Sequence, residues 1–215
     1  MDALGYRKLY QLQDRVLAIV FREETEFYLS GGTCLNRFYF EQRYSDDLDL
    51  FTHFSDTFAY SARAVLDRLD REGMAADRLV DARDFIRIHL TEDETVLQVD
   101  FVNDRIKRFG DFSYHKGWRL DNPMNILSNK ITAVIGRDNP KDVFDILLIA
   151  RHQSIDWTAI LAQAREKQHF QKEDLLYRLQ TFPSGLLNRL HLLDEGFLRD
   201  FDRDLHKIIE TIRDA

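Results

Sequence analysis

Two aspartates spaced two residues apart are the most informative feature of the sequence. Within residues 46–51 (DDLDLF), acidic and apolar residues alternate from residue 47 to residue 50. Such alternation is typical of a half-buried strand, so Asp47 and Asp49 share one face while Leu48 and Leu50 share the other. Two neighbouring carboxylates repel each other unless a cation lies between them. Because this stretch has no Cys or His, its carboxylate oxygens favour Mg²⁺ or Mn²⁺ over zinc.

A glycine pair upstream of the aspartates is the second feature with chemical meaning. Gly31 and Gly32 separate a short apolar run from a helical pattern. Glycines there let the backbone approach a phosphate, which the amides and dipole of the following helix attract. Taken alone, the glycines also suit a plain tight turn, and the aspartates also suit a solvent-facing strand edge. Together they predict the phosphate-binding turn and metal-binding pair that nucleotidyl transfer needs.

The spacing of apolar residues predicts the elements that position these two features. Helical spacing from Tyr6 to Phe21 predicts an opening helix, which the polar stretch 22–26 ends. The run from Phe27 to Leu29 predicts a strand, and a helix capped by Thr33 follows the glycines. Helical spacing returns from Phe58 to Leu69. The strand that carries the two aspartates therefore lies between two helices along the chain.

Farther along the chain, the pattern predicts a β-hairpin and then helices. Residues 86–90 and 96–102 alternate around a polar turn, which predicts antiparallel strands, the second carrying Asp100. Residues 103–119 are predicted to form a locally basic loop. Two Asn-Pro pairs then predict helix starts, and the remaining apolar stripes, including one from Phe197 to the C-terminus, predict a wholly helical end.

Composition excludes several classes of protein. The 215 residues include 37 acidic and 30 basic side chains, a formal charge of −7. That charge argues against coating nucleic acid through a general positive field, although a local basic groove stays possible. The single Cys34 excludes an intramolecular disulfide and is predicted to be a small core residue. No apolar run could span a bilayer, and the first ten residues lack signal-peptide features, so we expect a cytoplasmic protein.

Several stretches of the sequence resemble motifs of a known family. Residues 28–35 (YLSGGTCL) and 43–50 (RYSDDLDL) resemble, in order and spacing, the opening motif of the AbiEii/AbiGii-toxin family of nucleotidyltransferases. That family is a branch of the polymerase-β-like superfamily. Residues 129–131 and 141–145 resemble its later helical motif. The chain beyond Arg151 matches no motif.

This resemblance implies both a fold and an activity. The implied fold is α+β, with a nucleotidyltransferase-type mixed β-sheet flanked by helices and a helical C-terminal portion. We expect residues 1–120 to form the catalytic core and residues 121–215 to form a helical domain that contributes to the nucleotide site. The implied activity is metal-dependent nucleotidyl transfer from a nucleoside triphosphate, with Mg²⁺ or Mn²⁺ as cofactor and pyrophosphate released. The resemblance also implies a cognate antitoxin protein as a partner, and it implies no association with a membrane.

Roles for the residues of the opening motif follow from the resemblance. Asp47 and Asp49 would hold the metal. Asp100, on a neighbouring strand, would be the third carboxylate, with Asp104 as its rival because the spacing of this residue varies in the family. The residues of the opening motif that would contact the nucleotide are Ser30, Gly31, Gly32 and Thr33.

Roles for the later motif follow in the same way. Lys130 would contact the triphosphate, for which a compact point charge is suited. Asp142 and Asp145 lie at i and i+3 on one polar face of a predicted helix and would either orient Lys130 or touch the nucleotide. Lys141 stands where the family usually has arginine, so the contact made by this pair stays open. Arg43 would pair with acidic residues or reach the substrate, and the structural pairing is favoured.

Three functions are compatible with these features. The first is toxin-like modification of an RNA, such as a tRNA acceptor end, as the resemblance implies. The basic loop would then contact RNA phosphates, although it also suits an ordinary solvated loop. The second is transfer to a small hydroxylated molecule such as an antibiotic, as in other enzymes of the superfamily. The third is a non-catalytic relative that binds nucleotide or a partner, which the complete set Asp47, Asp49 and Asp100 argues against.

Overall fold

The computed structural model describes residues 3–22 and 26–215, which form an α+β fold in two compact units. Within the described residues, the first unit contains 3–22, 26–34, 45–106 and 111–121, and the second contains 35–44, 107–110 and 122–215. The polar stretch expected to end the first helix includes residues 23–25, which lie outside the described residues. We still only predict that residues 1–120 form the catalytic core and that residues 121–215 form a helical domain contributing to the nucleotide site.

A seven-stranded mixed sheet forms the centre of the first unit. Its strands are β1 (Tyr28–Ser30), β2 (Asp47–His53), β3 (Ala76–Ala82), β4 (Phe85–Glu92), β5 (Thr95–Asp104), β6 (Ser113–His115) and β7 (Trp118–Leu120). They lie in the order β3-β4-β5-β2-β1-β7-β6. β2 pairs with β5 in parallel and with β1 in antiparallel orientation. The helices that begin in this unit are α1 (Ala3–Arg22), α2 (Gly31–Phe38) and α3 (Phe58–Arg71).

One face of this sheet is apolar and packs against α1 and α3. Leu48 and Val99 are register partners in β2 and β5, and both are fully buried. Phe27 joins the sheet to α3, because its ring meets Phe101 at 5.2 Å and Phe58 at 6.2 Å in edge-to-face contacts. Removal of this apolar surface from water stabilises the unit. Because side chains alternate along a strand, the intervening acidic residues lie on the opposite, polar face.

The second unit is helical apart from one isolated bridge between Arg43 and Leu192. Its helices are α4 (Pro123–Gly136), α5 (Pro140–His152), α6 (Trp157–Lys167), α7 (Lys172–Gln180) and α8 (Phe201–Asp214), with 3₁₀ turns at Ser184–Arg189 and Glu195–Leu198. Both Asn-Pro pairs start helices, as predicted. Asn122 and Asn139 accept backbone N–H groups of the first turn, and the prolines occupy the first helical positions. No described helix is long and apolar enough to cross a membrane.

Three local predictions are wrong. Residues 113–120 of the predicted basic loop form a hairpin of β6 and β7, and its two-residue turn, Lys116-Gly117, has φ of 52° and 84°. Strands of three residues are too short to show alternation. Thr33 does not cap α2, because the helix already begins at Gly31. The C-terminal stripe is interrupted, since Phe197 lies in a 3₁₀ turn and α8 begins at Phe201.

The strand β3 also escaped prediction. It is an edge strand whose side chains are nearly all exposed on both faces, so the sequence has no buried alternation to show there. The predicted hairpin of residues 86–102 is confirmed as β4 and β5, which pair in antiparallel orientation. The predicted strand carrying the two aspartates is confirmed as β2.

Candidate active site

Strand register brings the predicted carboxylates together on the polar face of the sheet. Asp49 is the register partner of Asp100 on β5 and of Ser30 on β1. Asp47 lies on the same face two residues earlier, beside Gln98. Register partners project to the same side of a sheet from strands roughly 4.8 Å apart. The side chains of Asp47, Asp49 and Asp100 are therefore neighbours across β2 and β5.

Register also distinguishes the two proposed third carboxylates. Asp104 is the register partner of His53, four residues along the strand from Asp100, which corresponds to about 13 Å. One carboxylate oxygen of Asp104 accepts the backbone N–H of Ile106 at 2.9 Å. Asp100 therefore lies beside Asp49, whereas Asp104 lies at the far end of the strand.

The glycine turn meets this carboxylate cluster at Gly31. Its φ is +71°, and a Cβ atom placed there would lie 2.2 Å from Oδ2 of Asp49. Only glycine meets both constraints without strain. Gly32 follows in the first turn of α2, so the N-terminal end of that helix stands against a carboxylate of the cluster. The side chain of Ser30 donates a hydrogen bond at 2.8 Å to the fully buried Asp121, which the sequence did not single out.

Thr33 and Cys34 follow the two glycines in α2, and both are buried. Thr33 is fully buried, and its hydroxyl contacts Oγ of Ser45 at 2.8 Å and the carbonyl oxygen of Asp47. It therefore ties the start of α2 to the start of β2. Cys34 is buried as predicted, and burial together with the charge of Asp121 raises the pKa of its thiol well above the usual value. A thiol of this kind is a poor nucleophile.

Arg87 belongs to the cluster although no prediction included it. Its Nε and Nη2 donate to the two carboxylate oxygens of Asp100 at 2.7 and 2.6 Å. This hydrogen bonding raises the pKa of Arg87, and the charges of Asp49 and Asp47 add to the effect. Arg87 and Asp100 are register partners on β4 and β5. The sequence showed Arg87 alternating with apolar residues, but its partner depends on the exact hairpin register.

The chemistry of these donors fits a hard divalent cation. Asp47 and Asp49 are half-buried and supply only carboxylate oxygens, which Mg²⁺ and Mn²⁺ prefer. No three acidic, His or Cys side chains of residues 3–22 and 26–215 already converge closely enough to hold a metal ion. Asp100 is instead engaged by Arg87. The two aspartates of β2 are therefore the primary candidate ligands, and Asp100 is a third carboxylate that currently faces a cation of the protein.

The residues of the later motif form a separate charged cluster in the second unit. The ammonium group of Lys130 lies 2.8 Å from a carboxylate oxygen of Asp142 and 2.8 Å from one of Asp145. Arg43 donates from Nε and Nη2 to the two oxygens of Asp145 at 3.1 and 3.0 Å. Arg137 donates to Asp142 from Nε and Nη2 at 2.7 and 3.0 Å. Each acid is therefore held by two cations.

The charged cluster of the second unit is buried, so its ion pairs contribute to the interior of the unit as well as to a candidate binding site. Asp142 and Asp145 are fully buried and both contact Lys130, so the polar helix face that they share lies in the interior and not towards solvent. Burial opposes ionisation, but Arg43 and Lys130 outweigh it and lower the pKa of Asp145 to about 2. Burial likewise opposes the charge on Lys130, and the two carboxylates outweigh it and raise its pKa. This geometry favours a role for Asp142 and Asp145 in orienting Lys130 over direct contact with the nucleotide. Arg43 pairs with a buried acid, Asp145, which is the structural pairing expected for it.

The basic residues of the predicted loop have different surroundings. Arg105 pairs with Asp84 at 2.9 Å, and Lys107 pairs with Glu166 at 2.6 Å, in the first and second units respectively. On the β6–β7 hairpin, Lys116 lies over the ring of Trp118 at 5.9 Å. The hairpin thus combines an exposed cation with aromatic rings, whereas Arg105 and Lys107 before it are paired with acids.

A family comparison covers nearly the whole chain. Residues 15–214 match the family described as "Nucleotidyl transferase AbiEii toxin, Type IV TA system". No curated protein sequence matches the chain.

Two solved structures share the fold. One is JHP933 from Helicobacter pylori, with a TM-score of 0.64 and 18% identity, over 99% of this chain and 93% of that one. The other, also from H. pylori, is described as a candidate nucleotidyltransferase and has a TM-score of 0.60 and 20% identity, over 98% and 94% of the two chains. At these identities the likeness shows the fold alone, and it extends over both units.

The close approach of Gly31 to Asp49 predicts the effect of an added methyl group. We expect Gly31→Ala to lower the free energy of unfolding by about 2–4 kcal/mol, from the positive φ together with the collision with the carboxylate. Gly73→Ala is the matched control, because φ is +76° and nothing lies within 4 Å of the added Cβ. That control should lose only about 1 kcal/mol in urea denaturation. Equal losses would contradict the close approach.

The charged cluster of the second unit predicts a pH-dependent loss of stability. Asp145→Asn should lower the free energy of unfolding at pH 7 by about 3 kcal/mol, because it weakens the buried pairing of Arg43. The folded pKa of Asp145 is depressed, so its contribution is present above pH 4 and is lost as pH falls towards 2. The gap between wild type and variant should therefore narrow by about 1 kcal/mol at pH 3.

Urea denaturation at pH 7 and pH 3 measures both quantities. Glu210→Gln is the control, because its pair with Arg213 is exposed and should contribute less than about 1 kcal/mol. A gap between wild type and Asp145→Asn that stays constant with pH would show that the depressed pKa is wrong.

Proposed function

The chain belongs to the AbiEii family of nucleotidyltransferase toxins of type IV toxin–antitoxin systems, and from that membership we propose that it transfers a nucleotidyl group from a nucleoside triphosphate to an RNA, such as a tRNA acceptor end. Membership of a toxin–antitoxin family implies an antitoxin partner. The observation that carries the catalytic proposal is the alignment of Asp47, Asp49 and Asp100 on one sheet face, against the glycine at the start of α2.

The proposed reaction is an in-line displacement at phosphorus. The oxygen of an acceptor hydroxyl attacks the α-phosphorus of the triphosphate and forms a new P–O bond. The bond between the α-phosphorus and the bridging oxygen to the β-phosphate breaks, and pyrophosphate leaves with that electron pair. The hydroxyl proton passes to a carboxylate or to solvent. In this scheme, Asp100 is the carboxylate proposed either to help hold a second metal ion or to assist deprotonation.

Asp47 and Asp49 are the residues we propose as ligands for Mg²⁺ or Mn²⁺. Such an ion, when bound, offsets negative charge on the phosphates and on the leaving group. The protein's contribution is to hold the carboxylates in a fixed relation, through the pairing of β2 with β5 and through the hydroxyl of Thr33. Asp104 is a weaker candidate because its register places it beside His53.

The nucleotide-binding proposal divides between backbone and side-chain groups. Gly31 and Gly32 stand in the first turn of α2, where backbone N–H groups and the helix dipole attract phosphate. Ser30 is oriented by its hydrogen bond to Asp121. Lys130 is proposed to contact the triphosphate, and its positive charge is maintained by Asp142 and Asp145. Its ammonium group is held in place by both carboxylates.

The β6–β7 hairpin is the surface that we propose for RNA. Tyr114 is 67% exposed, and Lys116 at the turn is also exposed. Aromatic rings stack on unpaired bases and cations contact phosphates, so this combination suits single-stranded RNA. Arg119 adds a cation, although its guanidinium also packs over Phe112 at 5.5 Å. Arg105 and Lys107 support this role less, because acids already pair with them.

Removal of the paired carboxylates tests the catalytic proposal. Asp47→Asn with Asp49→Asn should reduce transfer by about a hundredfold or more, because a divalent cation loses both β2 ligands. Transfer is measured as incorporation of label from α-phosphate-labelled triphosphates into total RNA or into small hydroxylated acceptors. Asp104→Asn is the matched control and should retain activity. Full activity of the double variant would contradict the assignment, and label only in the small acceptor would reject RNA.

Charge reversal on the hairpin tests the RNA surface separately. Lys116→Glu should raise KM for RNA severalfold at low salt, since a cation that contacts phosphate is replaced by an anion, while kcat and KM for the triphosphate stay unchanged. Lys8→Glu makes the same charge change at an exposed position on α1. If the two variants alter KM for RNA equally, the effect is one of net charge and the hairpin assignment is wrong.

A further inference from the structure

The ion pair between Arg87 and Asp100 is strong. The proposed transfer reaction assigns no role to Arg87. The pair is a two-point contact with N–O distances of 2.7 and 2.6 Å, and the carboxylate is almost fully buried. Charge-assisted bidentate pairs are among the strongest hydrogen-bonded contacts in proteins. Asp100 is also the carboxylate proposed to serve the metal site. The same side chain therefore has two competing cationic partners.

The number of acceptor positions on Asp100 shows how direct this competition is. A carboxylate offers about four lone-pair positions. Arg87 occupies one on each oxygen, and the side-chain amide of Gln98 donates to Oδ2 at 3.4 Å. One position on Oδ1 then remains for a metal ion. Bidentate ligation by Asp100 would also need a position on Oδ2, which either Arg87 or the more distant Gln98 amide would have to vacate.

The surroundings of Arg87 let it act as a counter-ion for the whole cluster. Its register partner Asp100 is in turn the register partner of Asp49, and Asp47 lies on the same face, so the charge of Arg87 is close to all three carboxylates. Its guanidinium packs over the ring of Phe85 at 5.3 Å, and 37% of the side chain is exposed. Because it is partly solvated, Arg87 could turn towards water without leaving a fully buried charge behind.

We propose that Arg87 is a built-in counter-cation that competes with a divalent metal ion for Asp100. It stabilises the three neighbouring carboxylates when metal is absent and weakens the binding of metal to them. Metal then binds first through Asp47 and Asp49, and recruits Asp100 only by displacing or sharing Arg87. This inference rests on the metal site of the proposed function, and it assigns Arg87 as a positioning residue for Asp100.

Both the charge and the shape of Arg87 matter in this competition. Glutamine removes the charge, so it should leave the carboxylates more attractive to a divalent ion and more repulsive towards each other. Lysine keeps the charge but lacks the planar fork that binds both oxygens. Arg87→Lys should therefore give an effect between those of wild type and Arg87→Gln.

Binding of Mn²⁺ alone, in the absence of nucleotide, tests the proposal. The free ion is measured by its electron paramagnetic resonance signal as protein is added. We expect Arg87→Gln to bind Mn²⁺ about tenfold more tightly than wild type, and Arg87→Lys to bind it with intermediate affinity. In chelator, Arg87→Gln should melt at a lower temperature than wild type, and Mn²⁺ should raise its melting temperature more than it raises that of wild type.

Arg78→Gln is the matched control for these measurements. It makes the same change in the same sheet, but its partner Asp81 is exposed and stands on the edge strand β3. This variant should bind Mn²⁺ as wild type does. If Arg78→Gln and Arg87→Gln tighten binding equally, the effect comes from net charge, and the assigned role of Arg87 is wrong.

The remaining outcomes separate this inference from the proposed function. If wild type binds Mn²⁺ and the Asp47→Asn, Asp49→Asn variant does not, the metal site stands. Unchanged or weaker binding by both Arg87 variants then overturns the role of Arg87 alone. If neither wild type nor either Arg87 variant binds Mn²⁺, the metal site and the inference fail together. Should Arg87→Gln not fold in chelator, Arg87→Lys carries the comparison.

Discussion

The parallel pairing of β2 with β5 determines where the charged groups of the first unit lie. Its register sets Asp49 beside Asp100 and places Leu48 beside Val99 on the opposite face. A slip of one residue along β2 would turn both of its aspartates towards the apolar face. The buried leucines and valines therefore do more than stabilise the sheet, because their burial in the core selects the register that assembles the carboxylate cluster. Core packing and chemistry depend on the same pairing.

The two units neutralise their acids in different ways. Asp142 and Asp145 are fully buried and are each held by two cations, so removal of a partner leaves a charge in a poorly solvated interior. Asp47 and Asp49 are half-buried, and Asp100 has a partly exposed arginine as its counter-ion. The first arrangement is suited to holding Lys130 in place. The second leaves room to exchange one cation for another, which is the property that the proposed metal site requires.

Local periodicity was sufficient to predict β2 and the β4–β5 hairpin, and the two Asn-Pro pairs were sufficient to predict the starts of α4 and α5, because these residues carry the signal within a few positions. The alternative between Asp100 and Asp104 could not be decided from the sequence, since both occur on β5 and only pairing with β2 separates them. Arg87 was missed for the same reason. Asp121 was missed because it follows a strand of three residues, which has no recognisable period. Contacts between strands distant in sequence supplied what local patterns could not.

We propose that the aspartates of β2 hold a divalent cation on the polar face of the sheet. Anomalous diffraction from crystals grown with Mn²⁺ and a non-hydrolysable nucleoside triphosphate tests this most directly. We expect an anomalous peak at coordination distance from carboxylate oxygens of Asp47 and Asp49, with the triphosphate beside the first turn of α2. A peak that instead lies beside Asp104 and His53, or a bound triphosphate with no peak near β2, would contradict it.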